Sequence, residues 1–497
     1  MKEQKSQSPL NKIRVFLLYS FPVVLYCSYY PIIRLPLSQD SMNLELSLPL
    51  IWLFLFSILS LKDFLGRILS FIKNHEILFV LPLAFPIFLS FSIIWSKNPL
   101  RALLTSGILW CIYILIYTVV PKTSVLKLDK SKFSKIFLLG AVLFSLICWI
   151  QCILDVAGVP RSLTLLCRGC TSNIFGFPHP SGFAIEPQFM GNLLIAPALF
   201  SIYLLFSNRY NKNLFPKQFV LPISIFITST LFLTFSRGAI YAFLVGLLFL
   251  IISNLCLANK KTLLSIPLII SCFLLSLVAQ GLFSQLSYTN DTFFSGIDKV
   301  ISQLSLGEIN PNFSGHFLKN TSNGSGLANN SQDDAEDPLE NLSIFSGYVE
   351  ESTTTRLDLN VDAIQVSALS FRSLLFGYGL GSAGTILFEQ GKTASKMEII
   401  QNEYFSLLLE VGIIGLSLAL AVLISITLLI KKSFAPRERF FLYSVIIAFL
   451  VSLNFFSGLP NALHIYLFPA FLVIMLPRSL RLPLSSSRTQ TGHKPNN

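Results

Sequence analysis

The sequence predicts an all-α polytopic membrane protein with about twelve transmembrane helices and one large periplasmic loop between helices 9 and 10. Three observations carry this. Of the 497 residues, 53% are hydrophobic, and the mean hydropathy is +0.66. Only 12% are charged, about half the share of a soluble chain. The apolar runs are long and do not alternate, which argues for helices rather than a barrel. The net charge of +12 sits in short clusters between apolar runs, with no basic face or arm, so no nucleic-acid partner is expected.

The spanning candidates, in chain order, are Ile13–Ile33, Leu46–Leu61, Ile77–Trp95, Leu100–Val120, Ile136–Leu154, Phe183–Phe206, Phe219–Phe235, Gly238–Leu257, Leu263–Phe283, Tyr404–Ile430, Phe440–Phe456 and Ala462–Leu476. The second and twelfth are short enough to be re-entrant. The first continues to Ile33 and reads as a retained helix rather than a cleaved signal. With both termini in the cytoplasm, most of the 37 lysines and arginines fall inside, five in Pro121–Lys135 and four in Lys431–Arg439, as the positive-inside rule requires. The layout is therefore 1–283, an N-terminal bundle; 284–398, the periplasmic loop; 399–476, the C-terminal helices; and 477–497, a cytoplasmic tail. Six of the eight cysteines lie in apolar runs and read as small core residues. Cys167 and Cys170, in an outer loop, read as a structural pair or two free thiols, since no second pair completes a metal site.

The loop is acidic, with 14 Asp and Glu against six Lys and Arg between Ser284 and Glu398. Its stretch 356–376 places Leu357, Val361, Ile364, Ala368 and Leu375 at helical spacing. It is too polar to span and suits a helix lying on the membrane or capping the bundle. Gly377-Tyr-Gly379-Leu-Gly381 then breaks it. No strand precedes that glycine run, so it is not read as a nucleotide fingerprint. Gln401–Gly415 follows, a polar mouth leading into a long apolar helix. Glu410 lies about two turns inside; a carboxylate at that depth costs about 2.5–3.5 kcal/mol by insertion scales, so a structural partner is expected. Gly412 and Gly415 would let a neighbour approach closely.

Four motifs in this order make the chain resemble the O-antigen polymerase and O-antigen ligase superfamily, integral membrane glycosyltransferases of bacterial envelopes. They are Ser236-Arg237-Gly238 at the outer start of a helix, Arg356 followed by Phe371-Arg-Ser-Leu-Leu-Phe-Gly-Tyr-Gly-Leu-Gly381, the spacing Gln401-Asn402, nine residues, Gly412-x-x-Gly415, and Glu186-Pro187-Gln188. The resemblance implies a bacterial inner-membrane enzyme that joins lipid-linked glycans on the outer leaflet. The donor is a glycan on a polyprenyl diphosphate. A chain-length regulator and a flippase of the same pathway are the implied protein partners. The ligase branch has His where this chain has Gln401, and an amide does not titrate near neutrality. That favours polymerisation of repeat units over ligation to lipid A core, and leaves the base open. A lipid-linked sugar flippase and a structural scaffold are alternatives from other classes.

The chemistry needs cations where negative charge grows on the leaving diphosphate, and the planar guanidinium binds two phosphate oxygens at once. Arg237, at a helix start, and Arg356 are the candidate catalytic cations. Glu186 is a sugar ligand or the missing base. Arg372, Gln401, Asn402 and Glu403 are candidate substrate contacts. Arg372 lies sixteen residues after Arg356, on the opposite side of one continuous helix. Glu403 reads as an exposed helix-start acid, and His179 and His464 as structural histidines. Arginines can replace a metal here, so no metal or cofactor is expected.

Overall fold

The computed structural model describes residues 9–27, 32–36, 43–119, 128–159, 178–184, 186–206, 216–257, 260–287, 292–305, 309, 312, 354–396, 398–455 and 467. All of the twelfth predicted span but Leu467, together with His464, the Cys167/Cys170 pair and the 477–497 tail, lies outside these residues.

Among the described residues, eight helices are long and apolar enough to cross a membrane. They coincide with the second to sixth and the eighth to tenth sequence candidates. The first, seventh and eleventh candidates are also helical but shorter or less apolar.

Two of the sequence boundaries change. Helix α1 (Pro9–Tyr26) stops well before Ile33. Ile32–Pro36 is instead a strand, β1, paired antiparallel with β2 (Asn43–Ser47), Ile32 opposite Ser47 and Pro36 opposite Asn43. Among the described residues the fold is thus helical with one small hairpin. β-branched Ile32 and Ile33 suit a pleated backbone, and Pro31 before them cannot continue a helix. Helix α2 (Leu48–Lys73) is 26 residues long, enough to cross outright and not re-entrant. It runs past the polar residues Asp63 and Arg67 because these find partners. Buried Arg14 of α1 pairs with Asp63, and buried Arg67 donates to the Tyr117 carbonyl at 2.7 Å, tying α2 to α4 (Pro99–Val119).

Between them, α3 covers Ile77–Trp95 with short tight-turn pieces. Helix α5 is Lys130–Val156, capped by the Asp129 carboxylate. Helix α6 (Pro187–Phe206) is buried along nearly its whole length and forms the axis of the bundle. Helices α7 (Lys217–Leu233) and α8 (Arg237–Cys256) pack against it, and α9 (Ser265–Ser287) packs on α7 and α5. The loop then opens with α10 (Phe293–Leu304), which folds back on α9.

The predicted loop helix is two helices. The first, α11, spans 354–367; a turn follows, and α12 is Phe371–Phe376. The break has a local cause. Ser370 accepts from the Ser373 N–H at 3.0 Å, while the Ser373 hydroxyl accepts from the Ser370 N–H at 3.1 Å. This reciprocal cap starts a new helix. Helix α13 is Ala383–Glu389, α14 is Glu403–Ser433 and α15 is Pro436–Ser452.

Helix α14 is itself broken at Gly412, where φ is 66° and ψ −171°. Gly377, after α12, has nearly the same conformation, with φ 69° and ψ −170°. This region is open essentially to glycine alone. The two glycines mark a backbone crossing. A Cβ on Gly377 would lie 2.3 Å from the Glu410 carbonyl carbon, and one on Gly412 would lie 2.3 Å from the Leu375 oxygen. The break frees α14 carbonyls: Leu409 O accepts from the Tyr378 N–H at 3.0 Å and Glu410 O from the Gly379 N–H at 2.7 Å. The Glu410 side chain accepts from the Ala383 N–H at 3.2 Å, and the Gly381 N–H and the Arg101 charge also act on it. The partner that this deep carboxylate requires is therefore a glycine-rich turn plus a guanidinium. The turn also packs on the Ile93–Pro99 corner, with the Ser96 hydroxyl donating to Leu380 O at 2.8 Å.

Replacing Gly377 or Gly412 by Ala should lower stability by about 1–3 kcal/mol or more, read as thermal unfolding in detergent. Gly66→Ala, in the interior of α2 with nothing within 4 Å of the added carbon, should not destabilise, since Ala is favoured over Gly there by about 1 kcal/mol.

Candidate functional site

The site is built around the turn that precedes Arg237. Phe235 is held at φ 44°, a conformation that costs a bulky residue about 1–3 kcal/mol. Its surroundings enforce it. The ring is buried against Leu277 of α9 and Val300 of α10. The Gln280 amide donates to Pro178 O at 2.8 Å and to Leu233 O at 3.3 Å. Nδ1 of buried His179 lies 3.3 Å from Thr234 O, so that nitrogen carries the hydrogen. The Ser236 hydroxyl caps α8 by accepting from Ala239 N–H at 3.4 Å. Arg237 is then the first residue of α8, where free backbone N–H groups and the dipole favour an anion. It is half-buried, and its Nη1 is buried with no hydrogen-bond partner among the described residues.

Three stretches distant in sequence meet at the turn Leu453–Phe455, after α15. From Glu186-Pro187-Gln188, the Gln188 amide donates to Phe455 O. From Ser236-Arg237-Gly238, a Cβ on Gly238 would lie 2.6 Å from that of Phe455, and Tyr241 stacks on the Phe455 ring at 6.3 Å. From Gln401–Glu403, Asn402 donates to Asn454 O at 3.3 Å, and Glu403 N–H to Leu453 O at 2.9 Å.

Arg356 enters from the loop. Its helix, α11, packs through Leu359, Ala363 and Val366 on α13 and on Leu409 of α14. There its charge is felt by both Arg237 and Glu186. Glu186 is exposed at its outer side but backed by protein. Partial loss of water raises its carboxyl above the usual range, and Arg356 opposes that rise. Two guanidinium groups close enough to repel, with one carboxylate beside them, leave a net positive spot suited to an anion of more than one charge.

The other sequence candidates divide. The amide oxygen of half-buried Gln401 is buried and unpartnered among the described residues. Asn402 is occupied as the cap of α14, accepting from Tyr404 N–H at 3.0 Å and Phe405 N–H at 3.3 Å. Glu403 is not an exposed acid: the turn at Leu453 covers it to 7% exposure. Arg372 is exposed on α12, and the break at Ser370 removes the single-helix geometry that set it opposite Arg356. Sequence reasoning missed Tyr241, Phe455 and Asn360, whose amide oxygen is buried without a partner among the described residues. Asn360 lies four residues after Arg356, hence on the same helix flank, which was a usable signal. Nothing local marked Phe455.

Burial lowers His179 from its ordinary 6.5 to about 4. A histidine kept neutral in the fold contributes stability above its unfolded pKa, and that contribution is lost as pH falls from about 6.5 toward 4. The apparent Tm should therefore drop between pH 7 and 5, and His179→Gln should flatten that slope even where it lowers Tm throughout.

No curated protein matches this chain. Residues 222–420 match the family model described as O-antigen ligase. The matched region contains Arg237, Arg356, Arg372 and Gln401–Glu403, and it ends inside α14 beyond the glycine crossing. Glu186 lies outside it. The match over residues 222–420 supports the O-antigen ligase and polymerase superfamily for this multi-pass membrane protein.

Proposed function

We propose that the chain polymerises polyprenyl-diphosphate-linked repeat units into O-antigen or exopolysaccharide on the outer leaflet of the bacterial inner membrane, with both termini cytoplasmic. The observation that carries this is the meeting of Arg237 and Arg356, each within reach of the other's charge, beside Glu186. In the step, an acceptor hydroxyl oxygen bonds to the anomeric carbon of the donor. The bond from that carbon to the diphosphate oxygen breaks, and the diphosphate leaves with the electron pair. Arg237 and Arg356 neutralise the charge that grows on it. The hydroxyl proton passes to Glu186, whose raised carboxyl pKa suits a base better than an ordinary carboxylate does. Gln401 and Asn360, with buried amide oxygens, are assigned to glycan hydroxyls. The donor already carries its activation in the diphosphate linkage, so the step needs no further energy source. A flippase that delivers the donor and a chain-length regulator are the expected partners.

Ligation to lipid A core is the second reading, favoured by the description of the matching family and weakened by Gln401. Membranes given a lipid-linked repeat unit should yield a ladder of chain lengths. A single transfer that needs lipid A core would instead make the chain a ligase, and movement across the bilayer without new glycosidic bonds would make it a flippase.

Arg237→Ala and Arg356→Ala should each reduce the ladder about 100-fold or more at unchanged protein abundance. Arg237→Lys should fail to restore it, because an ammonium lacks the two-pronged geometry. A base acts when ionised, so the rate should fall as pH drops through the raised pKa of Glu186. Glu186→Gln should lower the rate by about 10²–10⁴-fold and abolish that acidic limb; an unchanged pH profile would remove Glu186 from the role.

A further inference from the structure

Helix α11 is apolar on two opposite sides. At about 100° per residue, Leu359, Ala363 and Val366 share a sector about 60° wide, and Leu357, Val361 and Ile364 share one of about the same width opposite it. The first sector is buried against α13 and α14. The second is exposed at all three positions. A helix bordered only by water has no reason to carry a second apolar stripe. The stripe leads into the turn and α12, where Leu369 is exposed and Phe371 is 78% exposed.

What covers this surface is indicated by its neighbours. Phe376, at the end of α12, meets the Trp95 ring edge-on at 6.5 Å. Trp95 ends the spanning helix α3, whose Ile94 is 81% exposed. An exposed apolar residue at the end of a spanning segment faces lipid, and Trp is favoured at the membrane–water boundary. The bare stripe thus continues the lipid-facing belt. The flanks agree. Asp358, Asp362 and Gln365 lie on one side between the two stripes, with Asp362 held by Lys392 at 2.8 Å. Arg356 and Asn360 lie on the other, so the helix presents no carboxylate in the bare sector.

We propose that α11 and the Leu369–Phe371 tip are seated in the lipid leaflet that Trp95 borders, with Leu357, Val361, Ile364 and Phe371 immersed at headgroup to upper acyl depth. The helix is then held from both sides, by protein through Leu359, Ala363 and Val366, and by lipid through the opposite stripe. This assignment concerns the bilayer and is independent of the reaction proposed above.

The test introduces single reporters into the full chain, Ile364→Trp and Phe371→Trp, with Asp358→Trp as the flank reference. Each is reconstituted in phosphatidylcholine vesicles with and without brominated acyl chains, and the parent protein's emission is subtracted. The added emission at 364 and 371 should be lost to brominated lipid more strongly than that at 358, and should resist aqueous iodide. Three results would overturn the proposal. Equal quenching by iodide at all three positions would place the stripe in water. Protection from both quenchers at 364 and 371 would mean cover by residues 310–353 or by a second copy. Bromine quenching no greater at 364 and 371 than at 358 would remove the lipid contact.

Discussion

The fold depends on one crossing of backbones. At Gly412 the long helix α14 opens, and the turn beginning at Gly377 closes onto the opening, each glycine lying where a side chain of its own would strike the backbone of the other segment. Carbonyls released from the helix accept from Tyr378 and Gly379, so the break leaves few orphaned polar groups where water is scarce. Glu410 completes the arrangement by receiving N–H groups from the same turn. A helix fault, a glycine run and a deep carboxylate, each unfavourable alone, are mutually satisfied here. The result is a fixed register between the loop that carries Arg356 and the helix that begins at Gln401.

That register matters because the site is assembled from pieces far apart in the chain. Glu186 precedes the central helix, Arg237 starts a later one, and Arg356 lies on a loop helix. The turn at Leu453–Phe455 ties the first two to the head of α14 through backbone carbonyls and one aromatic ring. The third is tied to the same helix through Leu359, Ala363 and Val366. The strained Phe235 shows the same logic on a smaller scale. Packing by Leu277 and Val300 and hydrogen bonds from Gln280 and His179 hold a conformation the backbone would otherwise leave. Two like charges can be kept within mutual reach only where many such contacts oppose their repulsion.

Much of the fold was legible because its signal is additive. Twenty apolar residues in a row give a spanning helix whatever the neighbours are, which is why α3 and α4 fall within a residue or so of their predicted ends. Arg237 was legible for a related reason: a lone cation opening an apolar run stands out. What escaped was decided by single contacts. Periodicity from Arg356 to Phe376 runs through Ser370, where two serine hydroxyls outweigh it. Ile32 and Ile33 extend an apolar run in sequence yet pair as a strand. Helix α10 was read as loop because its stripe, centred on Val300, needs Phe235 as a partner. Glu403 looked exposed because its cover, Leu453, comes fifty residues later. In the site, the residue types were readable and their convergence was not, since Phe455 has no local mark of its role.

At the end of the bundle far from Arg237, Arg14 of α1 pairs with Asp63 of α2, and Arg67 of α2 grips the Tyr117 carbonyl of α4. Drawing these three helices apart would strand guanidinium groups in hydrocarbon, a penalty of several kcal/mol for each ion left without its counterpart. The triplet is a clamp on the trailing half of the molecule. Any separation of the helices is therefore resisted most strongly at this end.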